Sequence, residues 1–277
     1  MPMFLGPLGG LVEINPLYEF DMPSERFGGT HVSISGRRTV DVLGHRATFT
    51  LRWVKRDQDQ MEFLEAIHHR LVPGPLRVVF PSQFRRNRLS RSAAAAGYGS
   101  RDTSGIVASG GALTGPADWQ PASAFPARGL TWSSWTPGNE TTFDAAAPAP
   151  VAAGEALTAT LWVKSTAAPG VALVVRHVNA AGATVAETSS GTVTLTAGTW
   201  ARLEVPVTPV AGAAGLVPAL KAVSGSGDIT IGGAQVELGA ATQWTRGGGA
   251  PLVAVDQLNE TALWSPYTNP ELTLLEL

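Results

Sequence analysis

Three tryptophans have sequence neighbours that suggest contact with a ligand. Trp119 lies in GPADWQPAS, and Trp132 and Trp135 lie in LTWSSWTPGN, both of which are rich in Gly, Pro and Ser. Such composition favours exposed loops, where an indole can stack on the apolar face of a sugar ring. We expect Trp119, Trp132 and Trp135 to be carbohydrate-binding candidates. Packing in a core or an interface is the alternative, above all for Trp132, which falls in an alternating run.

Two other tryptophans are expected in the core. Trp162 lies near the end of the apolar run LTATLWV, and Trp200 follows the turn-prone TAGT and precedes ARLEVPV. A tryptophan at either end of an apolar strand fills a large volume between packed sheets. We therefore predict a structural role for Trp162 and Trp200.

Catalytic chemistry has little support in the sequence. The chain contains no cysteine, and it lacks the patterns GxxxxGK[ST], GxSxG and HExxH. His68 and His69 are adjacent near a predicted helix end, so they point to different faces and favour a role at the helix C-terminus over a metal site. The spacing of the carboxylates in the middle of the chain selects no pair for glycoside hydrolysis. We expect no enzyme activity, no catalytic residue, no cofactor and no metal site.

A basic cluster, FRRNRLSR, spans residues 84–91. A nucleic-acid patch is one interpretation, but the cluster has no interleaved aromatic residues. A solvated linker or a subunit contact is favoured instead. We expect Arg85 and Arg86 to face a neighbouring subunit or the outside.

Length and charge limit the classes of protein. The chain has 277 residues and a formal net charge of -2, so bulk charge gives no argument for binding nucleic acid or a membrane. No apolar run approaches the length of a membrane span, and the start MPMFLGPLGGL lacks the basic region of a signal peptide. We expect a soluble protein of one large domain or two ordinary ones.

Composition divides the chain into three regions. Residues 1–91 hold 13 of the 20 Lys and Arg residues, whereas residues 92–247 are rich in Ala, Gly, Thr, Val and Ser. After the GGG of residues 247–249 the sequence is mixed again, but it is too short for a core of its own. We therefore predict one domain made of residues 1–91 plus 248–277, with residues 92–247 inserted in it.

The first region has an α+β pattern. THVSIS and RATFTLRW alternate like strands, and TVDVL is predicted to form a hairpin with RATFTLRW through Gly44 and His45. The spacing of Met61, Leu64, Ile67 and Leu71 predicts a helix that Asp57 caps and PG ends. PLRVVF is predicted to be a strand.

The middle region is predicted to contain no helix. Its β-rich runs are short and regularly spaced, with Asn-Ala-Ala-Gly and Ser-Gly-Ser-Gly turns among them, which is typical of a β-sandwich or jelly roll. The runs are LTATLWV, VALVVRHV, TVAET, GTVTL, ARLEVPV, LVPALKAV, DITIGG and AQVEL. The last region offers two more strands.

The middle region resembles the jelly roll of carbohydrate-binding modules found in phage and bacterial extracellular proteins. The matching landmarks occur in order: RGLTWSS, GEALTATLWVKS, HVNAAGATVAE, TAGTWARLEVPV and GGAQVELGAATQW. The resemblance covers about 150 residues and implies a sugar-binding fold.

The two ends resemble the tail-tube-like domain of phage tail proteins, particularly the distal tail protein of long-tailed phages. TFTLRW, EFLEAIHHRLVPGP and ELTLLEL carry this resemblance. It implies a hexameric ring at the distal end of the tail, joining tail tube to tail tip, with a peripheral domain inserted in the ring-forming domain.

Together these observations predict a mainly β protein, a tail-tube-like β-sandwich or barrel with one helix, interrupted by a β jelly roll. The expected function is a structural virion component made in the host cytoplasm, whose jelly roll contacts host-surface polysaccharide. A tail tube subunit with a decoration domain is a near alternative. A glycan-binding adhesin or accessory module is the alternative from another class.

Overall fold

The structure is a computed structural model that describes residues 3–17, 22–27, 30–40, 44–81, 85–95, 105–118, 128–152 and 154–277. The described chain is mainly β, which confirms the predicted class. In chain order its elements are β1 (Phe4–Pro7), β2 (Val12–Glu13), β3 (Ser24–Phe27), β4 (Thr30–Val32), β5 (Arg38–Val40), β6 (Gly44–Arg52), α1 (Gln58–His68), β7 (Leu76–Val79), α2 (Arg91–Ala95), β8 (Ile106–Ala108), β9 (Ala112–Asp118), β10 (Arg128–Ser133), β11 (Glu140–Phe143), β12 (Ala149–Pro150), β13 (Leu157–Ser165), β14 (Gly170–Val178), β15 (Thr184–Ser189), β16 (Val193–Thr194), β17 (Trp200–Val207), β18 (Gly215–Ser224), β19 (Ile229–Leu238), β20 (Leu252–Trp264) and β21 (Tyr267–Glu276).

The chain forms two compact units. We call Met3–Pro7, Val12–Val78 and Pro251–Leu277 the terminal unit, and Leu8–Leu11 with Val79–Ala250 the sandwich unit. The main boundaries between the two units therefore lie after Val78 and after Ala250, whereas the composition of the sequence suggested boundaries near Ser92 and Gly248.

The terminal unit is built on a seven-stranded sheet with the order β2-β1-β7-β20-β21-β6-β3. Strand β21 pairs with β6, and β20 pairs with β7, so both ends of the chain contribute to this sheet. In β6 the alternation predicted from RATFTLRW is confirmed, because Ala47, Phe49 and Leu51 are buried and Trp53 follows them into the core.

Helix α1 begins after Asp57, as the sequence predicts, but it ends at His68, before the Pro73-Gly74 that is predicted to end it. Met61, Leu64 and Ile67 are buried on one face. Leu71 lies beyond the helix end and is exposed, so its assignment to the same apolar face is wrong. The chain leaves the helix through Arg70, which has a positive φ of 58°.

The hairpin predicted between TVDVL and RATFTLRW is also wrong. Residues 41–43 lie outside the described residues, and β5 pairs with β4 in a separate two-stranded sheet. Strand β6 pairs with β3 and β21 instead. The alternation of each run was informative, but it did not determine the partner.

The sandwich unit contains a five-stranded sheet, β17-β13-β19-β10-β9, and a seven-stranded sheet, β15-β14-β18-β11-β8, in which β12 also pairs with β18 and β16 also pairs with β14. Their facing side chains form one core that joins residues such as Leu161 and Leu203 of the first sheet to Leu173 and Leu220 of the second. The predicted strands of the middle region are present, although DITIGG and AQVEL form the single strand β19.

Helix α2 contradicts the prediction that the middle region has no helix. It is a short helix of Arg91–Ala95 whose Ala93, Ala94 and Ala95 are buried. Small side chains allow its backbone to lie close to the sheet, and Ala93 and Ala94 belong to the sandwich core.

Candidate functional site

Trp132 and Trp135 are buried, and the expectation that they stand exposed for a ligand is wrong. Their ring centroids lie 5.8 Å apart. The indole N–H of Trp132 donates to the carbonyl of Gly110 at 2.8 Å, and that of Trp135 donates to the carbonyl of Gly227 at 2.7 Å. The two rings therefore tie loops to the core. Trp119 lies outside the described residues, and its role stays a prediction.

Trp162 and Trp200 lie on the outward face of the five-stranded sheet, so the prediction that they fill the core is wrong. In β13, Leu161 and Val163 point into the core, and Trp162 between them points outward. In β17, Leu203 points inward, which places Trp200 on the opposite face. Both tryptophans are half-buried.

Polar side chains stand in the same cross-strand row as Trp200. Lys164 lies opposite Trp200 on one side and opposite Thr230 on the other. Thr230 lies opposite Thr131. An ammonium group and two hydroxyls therefore continue the row across the sheet from the indole.

Trp162 stands in the next row, between a cation and a glycine. Arg202 lies opposite Trp162 on β17, and its guanidinium carbon is 6.0 Å from the ring centroid. Gly232 lies opposite Trp162 on β19 and puts no side chain beside the indole. The register shifts there, where Gly233 has a positive φ of 60°. Such a bulge re-aims the local backbone.

The loop of residues 239–246 closes the neighbouring part of the same face. The backbone N–H and the Oγ1 of Thr242 donate to Glu237 at 2.7 and 2.6 Å, and the backbone N–H of Thr245 donates to Oε1 of Gln235 at 2.8 Å. Glu237 and Gln235 are buried under this loop. The Glu237 carboxylate is thus satisfied within the protein.

Arg202 lies at the border between the part of the outward sheet face that the loop of residues 239–246 covers and the part that it leaves uncovered. Its Nη2 donates to the carbonyl of Thr242 at 2.6 Å and to Oγ1 of Thr160 at 3.3 Å. Its Nε is buried and has no partner among the described residues. We call the uncovered surface the open face, and it consists of Thr131, Trp162, Lys164, Trp200, Arg202 and Thr230.

The chemistry of the open face is that of binding. Indole faces stack on apolar ring surfaces, hydroxyls exchange hydrogen bonds, and the two cations attract acidic groups. Glu204 follows Arg202 at the next outward position of β17 and is exposed, so the outward face of the sheet carries a carboxylate beside the open face. Within the described residues, no group of three or more His, Asp or Glu side chains could hold a metal ion.

The basic cluster is partly structural. Arg88 is buried and forms a two-pronged ion pair with Glu155, with both N–O distances at 2.6 Å. The interpretation of the cluster as a solvated linker is therefore wrong for Arg88. Arg85 donates to the carbonyl of Gly248 at 3.1 Å and stacks on Phe80, whereas Arg86 is exposed. A subunit-interface role for Arg85 and Arg86 stays a prediction.

The sequence carried a signal for the open face. Trp200 is an even-numbered residue of a strand whose buried members Leu203, Val205 and Val207 are odd-numbered. Trp162 likewise lies between Leu161 and Val163. Because successive side chains of a strand point to opposite faces, both indoles were predictable as outward. The glycine and the covering loop beside them were not readable from periodicity.

Comparisons with known proteins identify no family. No family model matches the chain, and no curated protein matches it. Among the described residues, no helix is long and apolar enough to cross a membrane.

Solved structures give distant likenesses. The chain is similar to the enzymatically active domain of tailspike protein 4 of bacteriophage CBA120, at 18% identity and a TM-score of 0.42, over 55% of this chain and 21% of that one. It is also similar to the CBM22-1 xylan-binding domain of a Paenibacillus barcinonensis protein, at 17% identity and a TM-score of 0.41, over 56% of this chain and 96% of that one. TM-scores this low carry no argument about what this chain binds.

Proposed function

We propose that the sandwich unit binds carbohydrate through the open face. The observation that carries this proposal is the outward position of Trp162 and Trp200 on adjacent strands of one sheet. Gly232 is buried opposite the first indole and places no side chain there, and Lys164 stands between the strand of Trp200 and that of Thr230. The cations favour an acidic polysaccharide.

Substitution of the two indoles tests this role. We expect Trp162→Ala and Trp200→Ala each to weaken binding by about tenfold, since loss of an aromatic stacking contact costs about 1.4 kcal/mol. The probes are soluble xylan and purified acidic capsular polysaccharides, and titration calorimetry measures the affinity. Val107→Ala, which truncates an exposed side chain of the sandwich unit outside the open face, is the control. Equal binding by all three variants would reject the open face as the site.

We also propose that the terminal unit assembles into a ring of identical subunits. A specific observation favours assembly: Trp264 is 57% exposed at the end of β20, with Tyr267 and Leu263 also exposed near it. The ring of Trp264 stacks under the Lys55 ammonium at 5.3 Å and meets Tyr267 edge-on. Exposed aromatic clusters of this kind are typical of protein–protein contacts.

In this proposal the protein is a structural component of a long-tailed phage virion, made in the host cytoplasm. The ring is hexameric and joins the tail tube to the tail tip, and the sandwich units contact host-surface polysaccharide. This placement is supported by the resemblance of TFTLRW, EFLEAIHHRLVPGP and ELTLLEL to distal tail proteins. A tail tube subunit and a monomeric adhesin remain the alternatives.

Negative-stain microscopy of the purified protein separates these alternatives. Single rings are expected for the distal position, and long stacked tubes would indicate the tube subunit. A protein that stays monomeric at all concentrations would leave only the adhesin.

A further inference from the structure

Most of β20 is a free sheet edge. Strand β20 pairs with β7 only at Leu252 and Val253. From Val255 to Trp264, β20 pairs on one side with β21, and the structure gives it no partner on the other side among the described residues. This stretch contains no proline, and residues 259–264 are exposed. A long edge of this kind presents backbone donors and acceptors to another chain.

Strands β4 and β5 form an arm that stands apart from the main sheet. Within the described part of the chain they pair only with each other. Every side chain from His31 to Arg38 is exposed, including Val32 at 61% and Ile34, which is fully exposed. Val32 is the last residue of β4, and Ile34 lies in the turn that joins β4 to β5. An isolated two-stranded hairpin is marginally stable in water, so this arm gains stability from a partner.

The charges of the arm and of the edge are complementary. The arm, residues 30–40, contains Arg37 and Arg38 and no carboxylate. The edge strand, residues 252–264, contains Asp256 and Glu260 and no Lys or Arg. An apolar, cationic arm thus matches an anionic edge that carries Leu258 and Ala262. Opposite charges on two surfaces guide their encounter and fix their register.

We propose that the arm of one copy adds to the β20 edge of a second copy, extending its sheet across the subunit boundary. This deepens, and rests on, the self-assembly of the terminal unit proposed above. Arm and edge are different surfaces of the same chain, so the contact is heterologous, and a heterologous contact closes into a ring when its rotation permits. Backbone hydrogen bonds supply affinity, and the paired charges select the edge over other strands.

Charge exchange between arm and edge is the first test. We expect Arg37→Glu with Arg38→Glu to weaken association by at least about tenfold in sedimentation velocity, because two attractions become repulsions. Asp256→Arg with Glu260→Arg is expected to do the same. Combining all four substitutions in one chain is expected to restore association to within about threefold of wild type, which a folding defect would not allow.

Cross-linking is the second test, and the absence of native cysteine makes it clean. Ile34→Cys protein mixed with Ala262→Cys protein is expected to form a disulfide dimer of the two species under mild oxidation. Ile34→Cys mixed with Val107→Cys, an exposed site of the sandwich unit, is the control and is expected not to. A chain carrying both Ile34→Cys and Ala262→Cys that closes on itself at high dilution would overturn the proposal, because the arm would then cover its own edge.

The outcomes separate this contact from self-assembly as such. A wild-type protein that stays monomeric refutes both proposals. A wild-type protein that assembles while the reversed variants assemble equally well refutes only the arm-to-edge contact.

Discussion

Trp132 and Trp162 both lie in strands of the same sheet, β10 and β13, but point to opposite faces of it. Trp132 lies inside the sandwich and donates its N–H to the carbonyl of Gly110 at 2.8 Å. Trp162 lies on the opposite side of its sheet from the core and contacts Arg202. Loop composition suggested that Trp132 and Trp135 are exposed, whereas both are buried and donate to the carbonyls of Gly110 and Gly227.

The Arg88–Glu155 pair is predicted to be the ion pair whose loss costs most. Its side chains are 7% and 12% exposed, and Arg88 also donates to the carbonyl of Pro150 at 2.8 Å. Arg88→Ala leaves a buried carboxylate without its partner, so we expect a loss of about 3 kcal/mol in the free energy of unfolding. Urea denaturation measures it.

The matched control for that prediction is Arg52→Ala. Arg52 pairs with Glu271 at 2.7 Å, but the side chains are 47% and 36% exposed. We expect less than about 1 kcal/mol there, because water screens the pair. Similar losses for the two variants would show that burial of Arg88 does not set the cost.

His177 is predicted to make the sandwich unit less stable in mild acid. It is buried, its Nε2 lies 2.9 Å from Oγ1 of Thr188, and the N–H of Val210 donates to its Nδ1 at 3.3 Å. Burial lowers the pKa of His177 below its ordinary 6.5. The unfolded chain therefore takes up a proton near pH 6.5 that the folded chain does not, so stability present above this pH falls as the pH decreases.

The slope of stability against pH is the measurement for His177. We expect the free energy of unfolding to decrease below about pH 6.5 in the wild type. The decrease is expected to be smaller in His177→Gln and unchanged in His69→Gln, whose side chain is exposed. A slope that His177→Gln leaves unchanged would assign the titration to another group.

At the scale of elements, alternation predicted the strands better than it predicted their partners. The alternate apolar residues are the buried ones in three strands, because one face of each strand packs on a core; these are RATFTLRW, LTATLWV and ARLEVPV. The partner of β6 was missed because pairing between β6 and β21 joins residues more than 200 positions apart, for which local sequence holds no signal. The loop of residues 239–246 lies close in sequence to Gln235 and Glu237, but the alternation of strand residues gives no position for a loop.

The turn before β9 depends on a glycine with close neighbours. Gly111 has a φ of 77°, and a Cβ there would lie 2.5 Å from the carbonyl oxygen of Ser133 and 2.9 Å from Nε1 of Trp132. Gly138 has a φ of 97°, and a Cβ built on it would have open space around it. The methyl group of Gly111→Ala must therefore displace its neighbours Ser133 and Trp132. Gly138→Ala creates no such contact and costs only the free energy of a left-handed backbone at an alanine.

We expect Gly138→Ala to cost about 1 kcal/mol from its left-handed φ and Gly111→Ala to cost clearly more. Thermal unfolding followed by tryptophan fluorescence compares them. Equal midpoints for the two variants would mean that the contacts around Gly111 relax without cost.

At the scale of the whole molecule, one chain carries two kinds of surface. The sandwich unit has aromatic and cationic residues on the open face, and the terminal unit has an exposed arm and a free β20 edge. Assembly of terminal units multiplies open faces on one particle. Multivalent display then raises avidity for a repeating polysaccharide without any new contact, provided that several faces reach it together.

Fluorine NMR of the whole protein labelled with 5-fluorotryptophan tests the central claim most directly. The chain has 8 tryptophans, and single Trp→Phe variants assign the resonances. On addition of a bound acidic polysaccharide fragment, we predict that the resonances of Trp162 and Trp200 shift while those of Trp132 and Trp135 stay in place. A shift confined to Trp119, or one that leaves Trp162 and Trp200 unchanged, would contradict the account.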